Sequence, residues 1–129
     1  MARIILADDD PVIGQIVADA LLNAGHAVGW VADGDAALKI MRARPPSLAI
    51  LDCGMPGLSG VALVRAMRSD GRLCGVPVLM LTARQSDTDE SLALAAGAQD
   101  YLRKPVDLDL LVGRVGALLF QASKVRAAG

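Results

Sequence analysis

The pattern that most limits how this chain can fold is a recurrence of short apolar runs, each closing on a polar residue and followed by an amphipathic stretch. Arg3–Ala7 (RIILA) stops at Asp8-Asp9-Asp10, and Leu48–Leu51 stops at Asp52. Val76–Leu81 stops at Thr82, and Asp100–Arg103 leads into Lys104-Pro105. A further run covers about Val28–Ala32. Runs this short and this continuously apolar read as strands buried on both faces.

The stretches between them read as helices. Asp10 is a good N-cap and Pro11 suits the first helical position. Val12, Ile13, Ile16, Val17, Ala20 and Leu21 then recur at helical spacing until Gly25. Further helices are expected near Asp35–Arg42, Ser59–Arg68 and Asp89–Ala96. A last one starts near Leu108, with Leu108, Leu111, Val112, Val115, Leu118 and Leu119 on one face. Strands alternating with helices predict an α/β fold, a doubly wound five-stranded parallel sheet with five helices.

Length and composition narrow the class. At 129 residues the chain is read as one domain, 1–122, followed by a small charged C-terminal tail or linker stub, 123–129. Aromatics are only 2% of it, so Leu, Val, Ile, Ala and Met must build the core. A net charge of −1 with mixed signs argues against direct nucleic-acid binding, which needs a concentrated basic face. No run reaches the length of a membrane span, and three aspartates stand where a signal peptide needs its apolar stretch. Cys53 and Cys74 make neither a disulfide framework nor a zinc spacing, so a reduced, cytoplasmic protein is expected.

Asp8, Asp9, Asp52, Thr82 and Lys104 each fall at or just beyond the carboxyl end of a predicted strand. In an open α/β sheet that edge is where ligands bind. Three carboxylates gathered there repel one another unless a cation intervenes, and hard oxygen ligands suit Mg²⁺, with Mn²⁺ a substitute. Such a cation would screen Asp52 from an incoming phosphate, leaving Lys104 and the Thr82 hydroxyl to stabilise the other phosphoryl oxygens.

With these residues in place, the chain resembles the receiver domains of two-component response regulators. The resemblance rests on the Asp8-Asp9 pair, the LDCGMPGLSG segment around Asp52, MLTA ending at Thr82-Ala83, and GAQDYLRKP with Tyr101 and Lys104-Pro105. It implies a flavodoxin-like sheet of order 2-1-3-4-5. It also implies a phosphoacceptor at Asp52, with Asp8, Asp9, Asp52 and the Gly54 carbonyl around the metal. Thr82, Ala83 and Lys104 would meet the phosphoryl group, and the Lys104–Pro105 bond would be cis. Thr82 and Tyr101 would form a switch pair, and the donor would be a histidine kinase or phosphotransfer protein.

Plainer readings stand beside these. Asp10 is a helix cap, Trp30 is packing, His26 sits in an exposed loop, and Cys53 points into the core as an inert thiol. Gly54, Arg84 and Val106 depart from the common family pattern, and the first two bear on how long a phosphorylated state lasts. Two competing functions remain. One is a phosphorylation-independent pseudo-receiver acting only as a binding module. The other is an aspartyl-phosphate phosphatase of haloacid-dehalogenase type, which expects an acid where Gly54 stands. The last helix also presents Leu110, Gly113, Arg114, Ala117 and Phe120. With Asp100, which could form a charged pair with Arg114 between copies, and with an outward Leu92 beside a buried Leu94, these outline a possible homodimer or partner surface across helix four, strand five and helix five.

Overall fold

The computed structural model describes residues 2–82 and 87–128, and positions 83–86 fall outside the account below. In chain order the elements are β1 (Arg3–Ala7), α1 (Pro11–Asn23), β2 (Ala27–Val31), α2 (Gly34–Ala43), β3 (Leu48–Asp52), α3 (Gly60–Arg68), β4 (Val78–Thr82), α4 (Asp87–Ala96), β5 (Asp100–Arg103) and α5 (Leu108–Ala128). The strands form one five-stranded sheet of order β2-β1-β3-β4-β5, and every adjacent pair is parallel.

Alternation along the strands divides the core into two layers. Ile5, Ala7, Ala49, Leu51, Val78 and Met80 face one way, onto Ala37, Met41, Leu63, Val64, Met67 and Ala93 of α2, α3 and α4. Ile4, Leu6, Leu48, Ile50, Leu79 and Leu81 face the other way, onto Val17, Leu21, Leu111, Val115 and Leu118 of α1 and α5. With almost no aromatic residues, the first layer uses Met41, Met55, Met67 and Met80 to fill irregular space, as a flexible thioether can.

Local chemistry sets the element ends. Asp10 caps α1 by accepting from the amides of Val12 (2.9 Å) and Ile13 (3.2 Å). Ser59 caps α3 through the Ala62 amide at 3.2 Å, so it flanks that helix rather than opening it. The expected start of β4 at Val76 moves to Val78, because Pro77 has no N–H for the ladder. Instead the Pro77 carbonyl accepts from the Ala49 amide at 3.0 Å. β2 lies one residue earlier than expected, and α5 continues through 123–128, where a tail was expected.

One expectation is overturned. Leu94 is not buried: it is 46% exposed, as Leu92 is at 42%, and the buried residue between them is Ala93. A small side chain at that position brings α4 down onto the sheet, and a residue 100° further round the helix on either side is turned away.

Arg68, at the end of α3, ties two connections together. Its guanidinium donates to the carbonyls of Cys74 (3.0 Å), Val76 (2.9 Å) and Gly97 (3.0 Å), and to the Gln99 side-chain oxygen (2.9 Å). That oxygen also accepts from the Val78 amide at 2.7 Å, which fixes the entry to β4.

α3 starts close beneath the end of β3. A Cβ on Gly60 would stand 2.4 Å from the Asp52 carbonyl oxygen and 2.8 Å from the Met80 terminal methyl. Because the nearer atom is backbone, a side chain there must displace either α3 or the strand that carries Asp52. Gly60→Ala is therefore expected to destabilise the fold by about 1–3 kcal/mol, measured by urea denaturation. A stability equal to that of the parent would show that α3 can shift freely.

Candidate phosphoryl and metal site at the sheet edge

The ends of β1, β3 and β4 and the segment after β5 meet at one rim. Asp8 is fully buried there. Its amide donates to the Val31 carbonyl at 3.0 Å. One carboxylate oxygen accepts from the Asp10 amide at 2.9 Å, and the other lies 3.2 Å from the Lys104 ammonium. Asp9, next along the chain, is exposed. Asp52 is 7% exposed, accepts weakly from the Gly54 amide at 3.4 Å, and is also 3.2 Å from Lys104 Nζ. Asp8, Asp9 and Asp52 each offer a carboxylate oxygen, and these lie within 4.8 Å of one another.

The charges do not balance. Among the described residues three carboxylates face one ammonium, and a like-charged pair at about 4.8 Å costs roughly 3–4 kcal/mol at an effective dielectric near 20. Burial pushes the Asp52 carboxyl above its ordinary range, and the Asp8 charge adds to this while Lys104 opposes it. Lys104 shows the converse: burial pulls its ammonium down, but Asp52 and Asp8 together hold it above the usual lysine value. Hard oxygen donors with an excess of negative charge fit a divalent cation such as Mg²⁺.

Thr82 closes the fourth side. It is fully buried, and its hydroxyl has no hydrogen-bond partner among the described residues. The Thr82 carbonyl accepts from the Lys104 amide at 2.9 Å, which places the lysine beside it, and the Lys104–Pro105 peptide is cis. Gly54 is exposed, with open space where a Cβ would stand. Ala83 and Arg84, expected at the phosphoryl group and along the path of water, lie outside the described residues.

Tyr101 is half-buried on β5, opposite Met80 in register, and Arg103 is opposite Thr82. The Tyr101 hydroxyl bonds to the Glu90 carboxylate, which raises the phenol above its usual value. Glu90 is itself held below the ordinary carboxylate range, first by its bond from Arg103. This Glu90–Tyr101–Arg103 cluster was not anticipated from the sequence, although Arg103 ends β5 one residue before Lys104. Asp100 and Arg114, expected as a pair between copies, close on each other within one chain at 2.6 Å.

His26 is half-buried, its Nδ1 accepting from the Ala2 amide at 3.4 Å, and Cys53 packs against the methionine-rich layer. Neither joins the rim. Trp30 does, since its indole N–H donates to the Asp8 carbonyl at 2.9 Å.

The comparisons agree with this geometry. Residues 4–116 match the family model for the response regulator receiver domain. The chain is 44% identical over 116 residues to the response regulator protein PmrA of Pseudomonas aeruginosa, covering 90% of this chain and 52% of that protein. It is 38% identical over 117 residues to the DNA-binding response regulator MtrA of Mycolicibacterium smegmatis, covering 91% and 50%. Among solved structures, a putative response regulator from Chloroflexus aurantiacus superposes with a TM-score of 0.89 at 32% identity, covering 92% of this chain and 97% of that one. The chain belongs to the response regulator receiver domain family of two-component systems, and it spans about half the length of these curated relatives.

The electrostatics give a test with a definite sign. A carboxyl whose folded pKa is raised binds its proton more readily in the folded protein than in the unfolded chain. Stability is then lost as pH rises from the ordinary carboxylate range through that raised value, and the penalty persists above it. Asp52→Asn removes the penalty. Without divalent metal, the variant is expected to be more stable than the parent at pH 7, with the difference shrinking as pH falls toward about 4. Urea midpoints at the two pH values measure this, and a variant less stable at pH 7 would contradict it.

Proposed function

We propose that this receiver works as a phosphoacceptor switch, taking a phosphoryl group onto Asp52 from a histidine kinase or phosphotransfer protein. What carries the reading is the Lys104 ammonium, placed 3.2 Å from both the Asp52 and the Asp8 carboxylates. An Asp52 oxygen attacks phosphorus, the donor group departs, and an acyl phosphate is left. Lys104 stays with the transferred oxygens, and the unpartnered Thr82 hydroxyl donates to another of them. Asp8, Asp9, Asp52 and the Gly54 carbonyl would hold Mg²⁺ or Mn²⁺, which supplies charge neutralisation for the transfer.

The product is a conformation rather than a released molecule. Phosphorylation adds about −1.5 to −2 charges at the rim. Thr82 and Lys104, on adjoining strand ends, are the groups drawn toward that charge. Arg103 faces Thr82 across the sheet, so movement there reaches the Glu90–Tyr101 contact on the outer face. Gly54 places no side chain at the rim, leaving a path for water toward a phosphorylated Asp52, while Arg84 would oppose this by covering the phosphoryl group.

Incubation with a small acyl-phosphate donor and Mg²⁺ is expected to add one phosphoryl mass to the parent and none to Asp52→Asn. Mass spectrometry reads the result. A labile adduct surviving in the variant would move the acceptor elsewhere, and steady turnover of phosphate esters would favour a phosphatase.

The face formed by α4, β5 and α5 is proposed as the output surface, with a homodimer as its occupant. Leu92, Leu110 and Phe120 are 42%, 45% and 64% exposed, and the Asp100–Arg114 pair is already satisfied within the chain. Gly113 and Ala117 are exposed between them and would let a second backbone come close. The contact is thus assigned to apolar side chains rather than to charge exchange. With a phosphoryl mimic bound, the parent is expected to sediment as a dimer, and Leu92→Glu and Phe120→Glu as monomers. A monomeric parent under all conditions would reject the homodimer.

A further inference from the structure

We infer that Trp30 is a positioning residue for the acidic rim, holding the Asp8–Asp9 peptide so that both carboxylates meet one cation; the inference rests on the metal reading above. Trp30 lies on β2, an edge strand, and is 36% exposed. Most of the ring is nonetheless covered, and its indole N–H donates to the Asp8 carbonyl at 2.9 Å.

The helix beneath is shaped to receive the ring. A Cβ on Gly14 would stand 2.2 Å from the indole Cε2 and Cζ2, so only glycine leaves room for the ring where it sits. Gly14 lies inside α1, where glycine is among the poorest choices for helix formation. A glycine within the helix thus seats the indole where its N–H reaches the Asp8 carbonyl.

That bond falls at a sensitive point. β1 ends at Ala7, and the last β2 carbonyl, that of Val31, is already taken by the Asp8 amide. Trp30 supplies the Asp8 carbonyl with a donor from outside the rim. The peptide between Asp8 and Asp9 is planar, so anchoring that oxygen also fixes the Asp9 amide and the Cα from which the Asp9 side chain starts. Asp8 is held at its other polar atoms by Asp10 and Lys104, whereas Asp9 is exposed and depends on this plane.

Trp30→Phe keeps a ring over Gly14 and removes only the N–H. Mn²⁺ binding, read by electron paramagnetic resonance of the free ion, is expected to weaken roughly three- to tenfold, the scale of one lost hydrogen bond, while the thermal transition stays cooperative. Gly14→Ala, which keeps the indole but pushes it off its seat, is expected to weaken Mn²⁺ binding in the same way and to shift the emission of the sole tryptophan. A folded Trp30→Phe variant with parental Mn²⁺ affinity overturns the inference. If that variant does not melt cooperatively, parental affinity in Gly14→Ala overturns it instead. A parent protein that binds no Mn²⁺ refutes the metal reading itself and the inference with it, an outcome distinct from parental affinity in the variants.

Discussion

The arrangement depends on one unbalanced electrostatic cluster. Asp8, Asp9 and Asp52 are brought within reach of a single cation, and among the described residues Lys104 offsets Asp8 and Asp52. In water such repulsion is screened, but Asp8 is fully buried and Asp52 nearly so, and there it is not. The cluster persists because the sheet dictates it: β1 and β3 are adjacent and parallel, so their carboxyl ends must deliver their aspartates side by side. Burial of the two core layers holds the strands in that register against the repulsion. The rim is thus an unbalanced charge distribution on a rigid support, and a divalent cation bound there would relieve it.

The supporting contacts follow from the same need. Gly60 allows α3 to start directly beneath the Asp52 carbonyl, and Arg68 gathers the carbonyls that precede β4 and β5. Between these fixed points, the Thr82 hydroxyl is buried with no partner among the described residues, a condition that favours any state that supplies an acceptor. On the outer face, Tyr101 is bonded to Glu90, and Glu90 is drawn to Arg103. Reorganisation at Thr82 therefore meets an existing polar contact rather than a featureless surface.

Much of this was legible in the chain because strand ends announce themselves. An apolar run that stops at Asp, Thr or Lys marks both the strand and the residue it delivers, and the parallel alternation then sends those residues to one edge. Contacts between elements distant in sequence were not legible. Trp30 read as packing because nothing in a single sequence pairs it with Gly14 or with a carbonyl 22 positions away. Leu94 read as buried from its residue type, whereas the close approach of α4 at Ala93 turned it outward. Asp100 and Arg114 were rightly read as a pair in charge terms, but their closure within one chain depends on how α5 packs beside β5.

The central claim is that the rim accepts a phosphoryl group because a divalent cation completes it. The most direct measurement is the initial rate of phosphoryl incorporation from a small acyl-phosphate donor, taken across a Mg²⁺ titration and with a chelator. The account predicts a rate that is negligible with chelator, saturates with Mg²⁺, and ends at one phosphoryl group per chain. Incorporation at an equal rate in the presence of chelator would contradict it, as would no incorporation at saturating Mg²⁺.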